Sequence, residues 1–380
     1  MSDNSSLHMR PDKKSNVFEF KVLQELPASC SQPISRADVL RVFLSTMGSY
    51  YPAFARRGVN WLKRSTEIGA RITDIDNDED LLRQMAKSVE GLNDPLLAID
   101  TGSFVWTDPE AESDEFDLLR EGFARQDVYS SLEQYQLAWH QAVRSRLKNL
   151  ALSDMQTAID GSVIWGQLAS GAAYMHVSSF ERGSVDDWRK ALHAFRKFQL
   201  KRNSVVLDLS MLNSANDAVG SLFASAFLPE KSILYKSRFH QRPEGSWNPH
   251  ENQWRGKQLN IRPLYLLTSN ETAGAGERVV LALKGQSGIT QVGTTTRGAM
   301  SEAFFRSLPN NWLLRLGSVE FADRGDVPYD GIGLVPDFNL AFFPEGQISQ
   351  GHFLALQTLD ELIAEGHFAK REQASPKNTF

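Results

Sequence analysis

Residues able to do chemistry gather in this 380-residue chain between Ile261 and Met300. Ser269 and Thr272 put two hydroxyls on one short polar turn, the group that nucleophilic acyl transfer requires. Gly274 and Gly276 follow, and a tight glycine turn opening a helix offers backbone N–H groups to a carboxylate or an oxyanion. Bases for such chemistry are sparse. His240 and His250 share an aromatic segment with Phe239, Trp247 and Trp254, which suits a ligand-facing surface. His176 falls in an expected strand and His193 in an expected helix, where packing is the commoner use of histidine. Each polar residue of the turn also has a structural reading. Thr272 or Asn270 can cap the following helix, and Glu277 in its first turn complements the helix dipole. No H-x-x-x-H, H-E-x-x-H or Cys/His spacing marks a metal site, and the glycines lack the lysine of a phosphate loop. No metal or cofactor is expected.

The elements that position this turn follow from periodicity. Ile261–Ser269 is an apolar run of strand length. Val279, Val280, Leu281 and Leu283 make a helical apolar face, which Gly285 and Gly288 stop, and Thr290–Thr296 is the next strand. Upstream, Ser204–Leu209 reads as a buried strand and Ala218–Phe227 as the helix behind it. Val163–Leu168 and Ala172–Phe180 form a strand pair, and Val185–Leu200 is a helix. Nearer the N-terminus, Ser35 or Asp38 caps a helix with Val39, Val42, Phe43 and Met47 on one face. A second helix runs from Asp78 to Leu92, residues 101 to 117 form an acidic loop, and 117 to 153 are mainly helical. Lys236–Lys257 is a hairpin or lid, Trp312–Phe321 a strand, and Phe353–Glu365 the last helix. The division expected is a disordered or extended segment over 1–30, a helical region over 31–158, an α/β core over 159–370 and a polar tail over 371–380.

Composition sets outer limits. Apolar residues at 41% and charged residues at 23% describe an ordinary globular protein. A net charge of −5 leaves no footprint for nucleic acid or anionic membrane. One cysteine, Cys30, excludes an intramolecular disulfide. No apolar run is long enough to span a bilayer, and the polar N-terminal residues lack the apolar stretch of a secretory signal, so a cytoplasmic location is expected. Oligomeric state stays open.

Several segments, in order, resemble the tail-specific, or C-terminal-processing, serine peptidases, in the branch with tricorn-type and retinoid-binding-protein-like relatives and no PDZ module. Tyr51-Pro52-Ala53-Phe54-Ala55-Arg56-Arg57-Gly58-Val59-Asn60-Trp61 is similar to the helical signature of that branch, with Asn60 replacing its Asp. Tyr329-Asp330-Gly331-Ile332-Gly333-Leu334-Val335-Pro336-Asp337 is similar to its C-terminal signature. The resemblance implies a crotonase/ClpP-like α/β core behind a helical N-terminal region. It also implies where catalysis sits. The nucleophile motif T-x-S-A-[SAG]-E stands here as Thr272-Ala273-Gly274-Ala275-Gly276-Glu277, with glycine at the serine position. The general-base lysine position is Ala299, the histidine position of the tricorn-like branch is Leu96, and Asp330 stands where a Glu orients that histidine. Ser214-Ala215 replaces a glycine pair that helps build the oxyanion hole. In a serine protease, removing the nucleophile costs about 10⁶ in kcat, and here several parts are replaced together.

Three functional readings follow. The first is a member without peptidase activity that binds a peptide or a small carboxylate through Thr272, Ala273, Gly274, Ala275, Ser214 and Trp247. The second is an enzyme that stabilises an enolate or oxyanion with backbone N–H groups, with His240, His250 or Asp330 as acid or base. The third is a serine-type hydrolase using Ser269 or Thr272 as a displaced nucleophile.

Overall fold

The computed structural model describes residues 34–70, 75–108, 111, 121–149, 153–239, 247–259, 263–341 and 351–368, with the strand pair β1 (Ser6–Met9) and β2 (Phe18–Lys21). Three helices come next: α1 (Arg36–Tyr50), α2 (Trp61–Gly69) and α3 (Asp78–Val89). They lead to β3 (Ala98–Asp100), β4 (Val105–Thr107) and α4 (Leu132–Asn149). The core opens with β5 (Ser153–Ala158), β6 (Val163–Gln167), β7 (Ala173–Val177) and α5 (Val185–Gln199). It continues through β8 (Val205–Asp208), β9 (Asn213–Ser214), α6 (Asp217–Ala226), β10 (Ile233–Phe239) and β11 (Asn248–Glu251). Then come β12 (Leu264–Thr268), β13 (Ala273–Gly274), α7 (Ala275–Leu283) and β14 (Ile289–Gly293). The chain closes with β15 (Ala303–Ser307), β16 (Leu313–Gly317), β17 (Val319–Ala322), β18 (Phe338–Asn339) and α8 (Gly351–Ala364).

A seven-stranded mixed sheet, ordered β18-β14-β12-β8-β7-β6-β5, carries the core. From β18 to β7 its neighbours are parallel, and β5 and β6 add an antiparallel edge. Both faces are covered, so the central strands β7, β8 and β12 are buried throughout and apolar except at His176, Asp208 and Thr268. Alternate side chains serve opposite layers. Leu264 and Leu266 of β12, with Val205 and Leu207 of β8, join the core that includes residues of α5, α6 and α7. Tyr265, Leu267 and Val206 face the other core, shared with residues of α4 and α8. Among the described residues no helix is long and apolar enough to cross a membrane.

Local chemistry starts the helices where expected. Ser35 and Asp38 form a reciprocal capping box on α1, and Ser184 and Asp187 do the same on α5. Other expectations need correction. The segment Trp312–Phe321 is two strands in two sheets: β16 pairs with β15 and β3, and β17 pairs with β10. The chain crosses between layers at Ser318, a step that strand propensity does not reveal. Residues 101 to 108 carry β4 rather than a loop alone, because Val105–Thr107 finds partners in β3. Helices α1 to α3 also pack on later strands. Their apolar faces share one core with Leu97 and Ile99 and with Leu308, Trp312, Leu314 and Leu316, supplied from far along the chain. Likewise β5, expected to lie before the core, is the edge strand of the large sheet.

Candidate functional site

In α/β sheets ligands meet the crevice beyond the carboxyl ends of the parallel strands. The turns after β8 and β12 converge there, and their short strands β9 and β13 pair in parallel, Ala273 with Asn213 and Gly274 with Ser214. Strand β12, a sharp turn and α7 have the form of a nucleophile elbow. Gly274 is the N-cap of α7 at φ 60°, ψ −124°. A Cβ at this position would lie 2.3 Å from Ser214 O and 3.3 Å from its carbonyl carbon. Gly276 is equally confined, with a Cβ site 2.3 Å from Leu212 O. The elbow therefore accepts no side chain at position 274 without moving main chain. Neither Thr272 nor Asn270 caps α7, whose N-cap has no side-chain hydrogen bond.

Two main-chain donors of the elbow are engaged. Gly274 N donates to Ala299 O at 3.1 Å, and Ala273 N donates to Leu212 O at 3.0 Å. The expectation that Gly274 offers its N–H to a ligand is corrected by this contact. Glu277 holds the covering loop in place. Its Oε1 accepts from Thr296 Oγ1 and Gly298 N, each at 2.6 Å, and its Oε2 accepts from Ala299 N at 2.7 Å. Complete burial pushes the Glu277 carboxyl up to about 7, against the pull of those three donors.

Ser269 and Thr272 are both fully buried. Ser269 Oγ donates to Ser210 O at 2.5 Å, and Thr272 Oγ1 donates to Leu209 O at 2.9 Å. Their hydroxyl protons tie the two turns together. Ala273, Ala275 and Ser214 are buried as well, and Ser214 Oγ donates to Glu181 Oε1 at 2.7 Å.

Leu96, Gly298 and Asp330 do come together. With Tyr51, Arg56 and Asp94 they line a cavity of about 10 Å³, roughly the space of a single water. Here Asp330 Oδ2 accepts from Phe321 N at 2.8 Å, while buried Oδ1 has no partner among the described residues. Burial pushes the Asp330 carboxyl up to about 8, Glu277 and Asp94 push the same way, and Phe321 N–H and Arg56 oppose. Tyr51 Oη donates to Asp94 Oδ2 at 2.8 Å, and Arg56 Nη1 stands 3.2 Å from Glu320 Oε1. A leucine side chain and a carboxyl thus meet where the resemblance implies a His–acid pair.

The histidines lie elsewhere. His250 Nε2 is 2.8 Å from Ser237 Oγ and its ring packs on Tyr235 and Phe321. His193 packs on Trp254. Trp247 lies under the Arg238 guanidinium at 4.4 Å. His240 falls outside the described residues. His176 is fully buried against Asp208, and burial lowers its pKa although Asp208 pulls upward.

A more open cleft adjoins the elbow. Asp94, Thr107, Asp108, Asn270, Arg297 and Arg315 are among the residues that line about 180 Å³ between the helical layer and the turn after β12. Arg297 donates through Nε to Asn270 O at 3.0 Å and through Nη2 to Glu271 Oε1 at 2.9 Å. Arg315 Nε donates to Leu96 O at 2.9 Å, and burial lowers its pKa against the pull of Asp94. Acids on this wall already accept bonds, Asp108 from Asn93 N and Asp94 from Leu96 N, both at 2.8 Å. Sequence reading passed over Arg297 and Arg315, since isolated arginines carry no spacing signal.

This is a mixed α/β core with a helical N-terminal region and an elbow bearing glycine. Residues 171–340 match the model of peptidase family S41. No curated protein matches the chain in sequence. Among solved structures, a candidate peptidase from Parabacteroides merdae ATCC 43184 is similar at TM-score 0.65 and 17% identity, over 86% of this chain and 97% of that one. Mature CPAF complexed with lactacystin is similar at TM-score 0.57 and 9% identity, over 87% and 98% of the two chains. At these identities the structural likeness concerns the fold, and the family model matches residues 171–340 of the chain.

Proposed function

We propose that this S41-type chain has lost peptidase activity and uses the cleft beside its elbow to bind a peptide or small molecule through a carboxylate. The observation that carries the reading is Gly274, whose Cβ site lies 2.3 Å from a main-chain oxygen. A serine at that position has no room for its side chain, so the backbone itself is fitted to glycine. Supporting it, Leu96 and Ala299 offer no base, and the hydroxyls of Ser269 and Thr272 are bound to carbonyls. We assign ligand binding to the cleft of Arg297 and Arg315 beside the elbow. Two guanidiniums beside an extended turn suit a C-terminal carboxylate, because charge-assisted and bidentate bonds to arginine are among the strongest available.

The test joins two measurements on one protein. Casein turnover and labelling by a fluorophosphonate should both be absent. In thermal-shift titrations, short peptides with a free C-terminus should raise the Tm, amidated versions should not, and Arg315→Ala should abolish the shift. Labelling or casein cleavage by the parent chain would overturn the loss of activity. Equal shifts from free and amidated peptides would overturn carboxylate recognition.

A further inference from the structure

Two histidines and an aspartate that are far apart in the chain meet in the interior. His176 comes from β7, Asp208 from the end of β8 and His352 from the start of α8, and all three are buried. His176 Nδ1 is 3.1 Å and His352 Nε2 is 2.7 Å from the same oxygen, Asp208 Oδ2. One ligand atom from each residue lies within 4.8 Å of the others. Tyr174 Oη also donates to Oδ2, at 2.6 Å. Asp208 Oδ1 accepts from Ser210 N at 3.1 Å and Ser210 Oγ at 2.5 Å.

Hydrogen bonding alone balances this cluster poorly. A carboxylate oxygen has about two lone-pair sites, yet three groups converge on Oδ2. A cation resolves the surplus. The two imidazole nitrogens and the carboxylate oxygen then all act as lone-pair donors, and Tyr174 and Ser210 become the hydrogen bonds that orient a ligating carboxylate.

We propose that His176, Asp208 and His352 form a buried structural site for one divalent transition ion, with zinc the best match. Two nitrogens and one oxygen suit zinc, whereas calcium and magnesium favour cages built of oxygen. Zinc ligands at about 2.0–2.2 Å stand roughly 3.3–3.5 Å apart in a tetrahedron, so the cluster opens by some tenths of an ångström on binding. Burial of all three ligands makes the role structural: the ion fastens α8 to β7 and β8. Through Ser210, whose carbonyl accepts from Ser269 Oγ, it also braces the turn that leads to the elbow. Sequence spacing hid the site because 32 and 144 residues separate Asp208 from its partners.

The experiment uses the full chain, stripped with a chelator and exchanged into chelator-free buffer. Zinc is titrated against a competing chromophoric chelator, metal content is read by mass spectrometry after gel filtration, and Tm is recorded with and without zinc. The parent should take one equivalent and gain Tm. His352→Gln and His176→Ala should bind more than about tenfold more weakly and lose the Tm gain, while His193→Ala behaves as the parent. A folded parent that retains no stoichiometric zinc sinks the proposal, a result that needs no variant to fold. So does a His352→Gln protein that binds zinc as tightly as the parent.

Discussion

Adding a side chain at Gly274 is the sharpest perturbation of the elbow. The residue sits at φ 60°, ψ −124°, and a Cβ would meet Ser214 O at 2.3 Å. That oxygen belongs to β9, which is paired with β13, so it cannot swing aside as a flexible side chain could. Two costs combine in Gly274→Ala: about 1–3 kcal/mol for a sparsely populated backbone region, and about 1–3 kcal/mol for overpacking. Gly91→Ala separates them, because Gly91 has φ 74° but nothing within 4 Å of its Cβ site. It should cost about 1–2 kcal/mol. Urea unfolding followed by tryptophan fluorescence should therefore put Gly274→Ala more than about 1 kcal/mol below Gly91→Ala. Gly274→Ser should be destabilised alike and gain neither casein cleavage nor fluorophosphonate labelling. The reasoning fails if Gly274→Ala costs no more than Gly91→Ala, or if Gly274→Ser keeps parental stability and takes the label.

Two further outcomes follow from buried carboxyls. Asp330 is raised to about 8 by burial, so the fold binds its proton where the unfolded chain, near pH 4, has released it. Its stabilising contribution is full below about pH 4 and is lost as pH rises to about 8, with a slope of up to about 1.4 kcal/mol per pH unit. Asp330→Asn should flatten urea-midpoint curves between pH 4.5 and 8.5, and variant and parent curves that run parallel would refute this. Glu277→Gln keeps the size but turns an NH₂ towards one of three donors. A loss of about 1–3 kcal/mol is expected, and an unchanged urea midpoint would show that the carboxylate does not hold the loop.

Much of this architecture was legible in one dimension. The apolar runs at 163–168, 204–209 and 261–269 hold the buried strands Val163–Gln167, Val205–Asp208 and Leu264–Thr268, since sheets covered on both sides demand near-continuous apolarity. Helix starts at Ser35 and Ser184 follow from capping chemistry that acts within four residues. The glycine at position 274, the leucine at 96 and the alanine at 299 were likewise visible as residue types lacking a nucleophile or base.

Tertiary structure decided what depends on contacts between distant segments. Whether the elbow's N–H groups face solvent turned on Ala299 O, 25 positions away, approaching Gly274 N. Whether Trp312–Phe321 is one strand or two turned on the partners waiting in separate sheets. The cleft of Arg297 and Arg315, and the meeting of His176 and His352 on Asp208, join residues with no shared local pattern. Residue type and short-range periodicity are written along the chain, whereas burial, pKa and the pairing of far-apart polar groups exist only once the layers have packed.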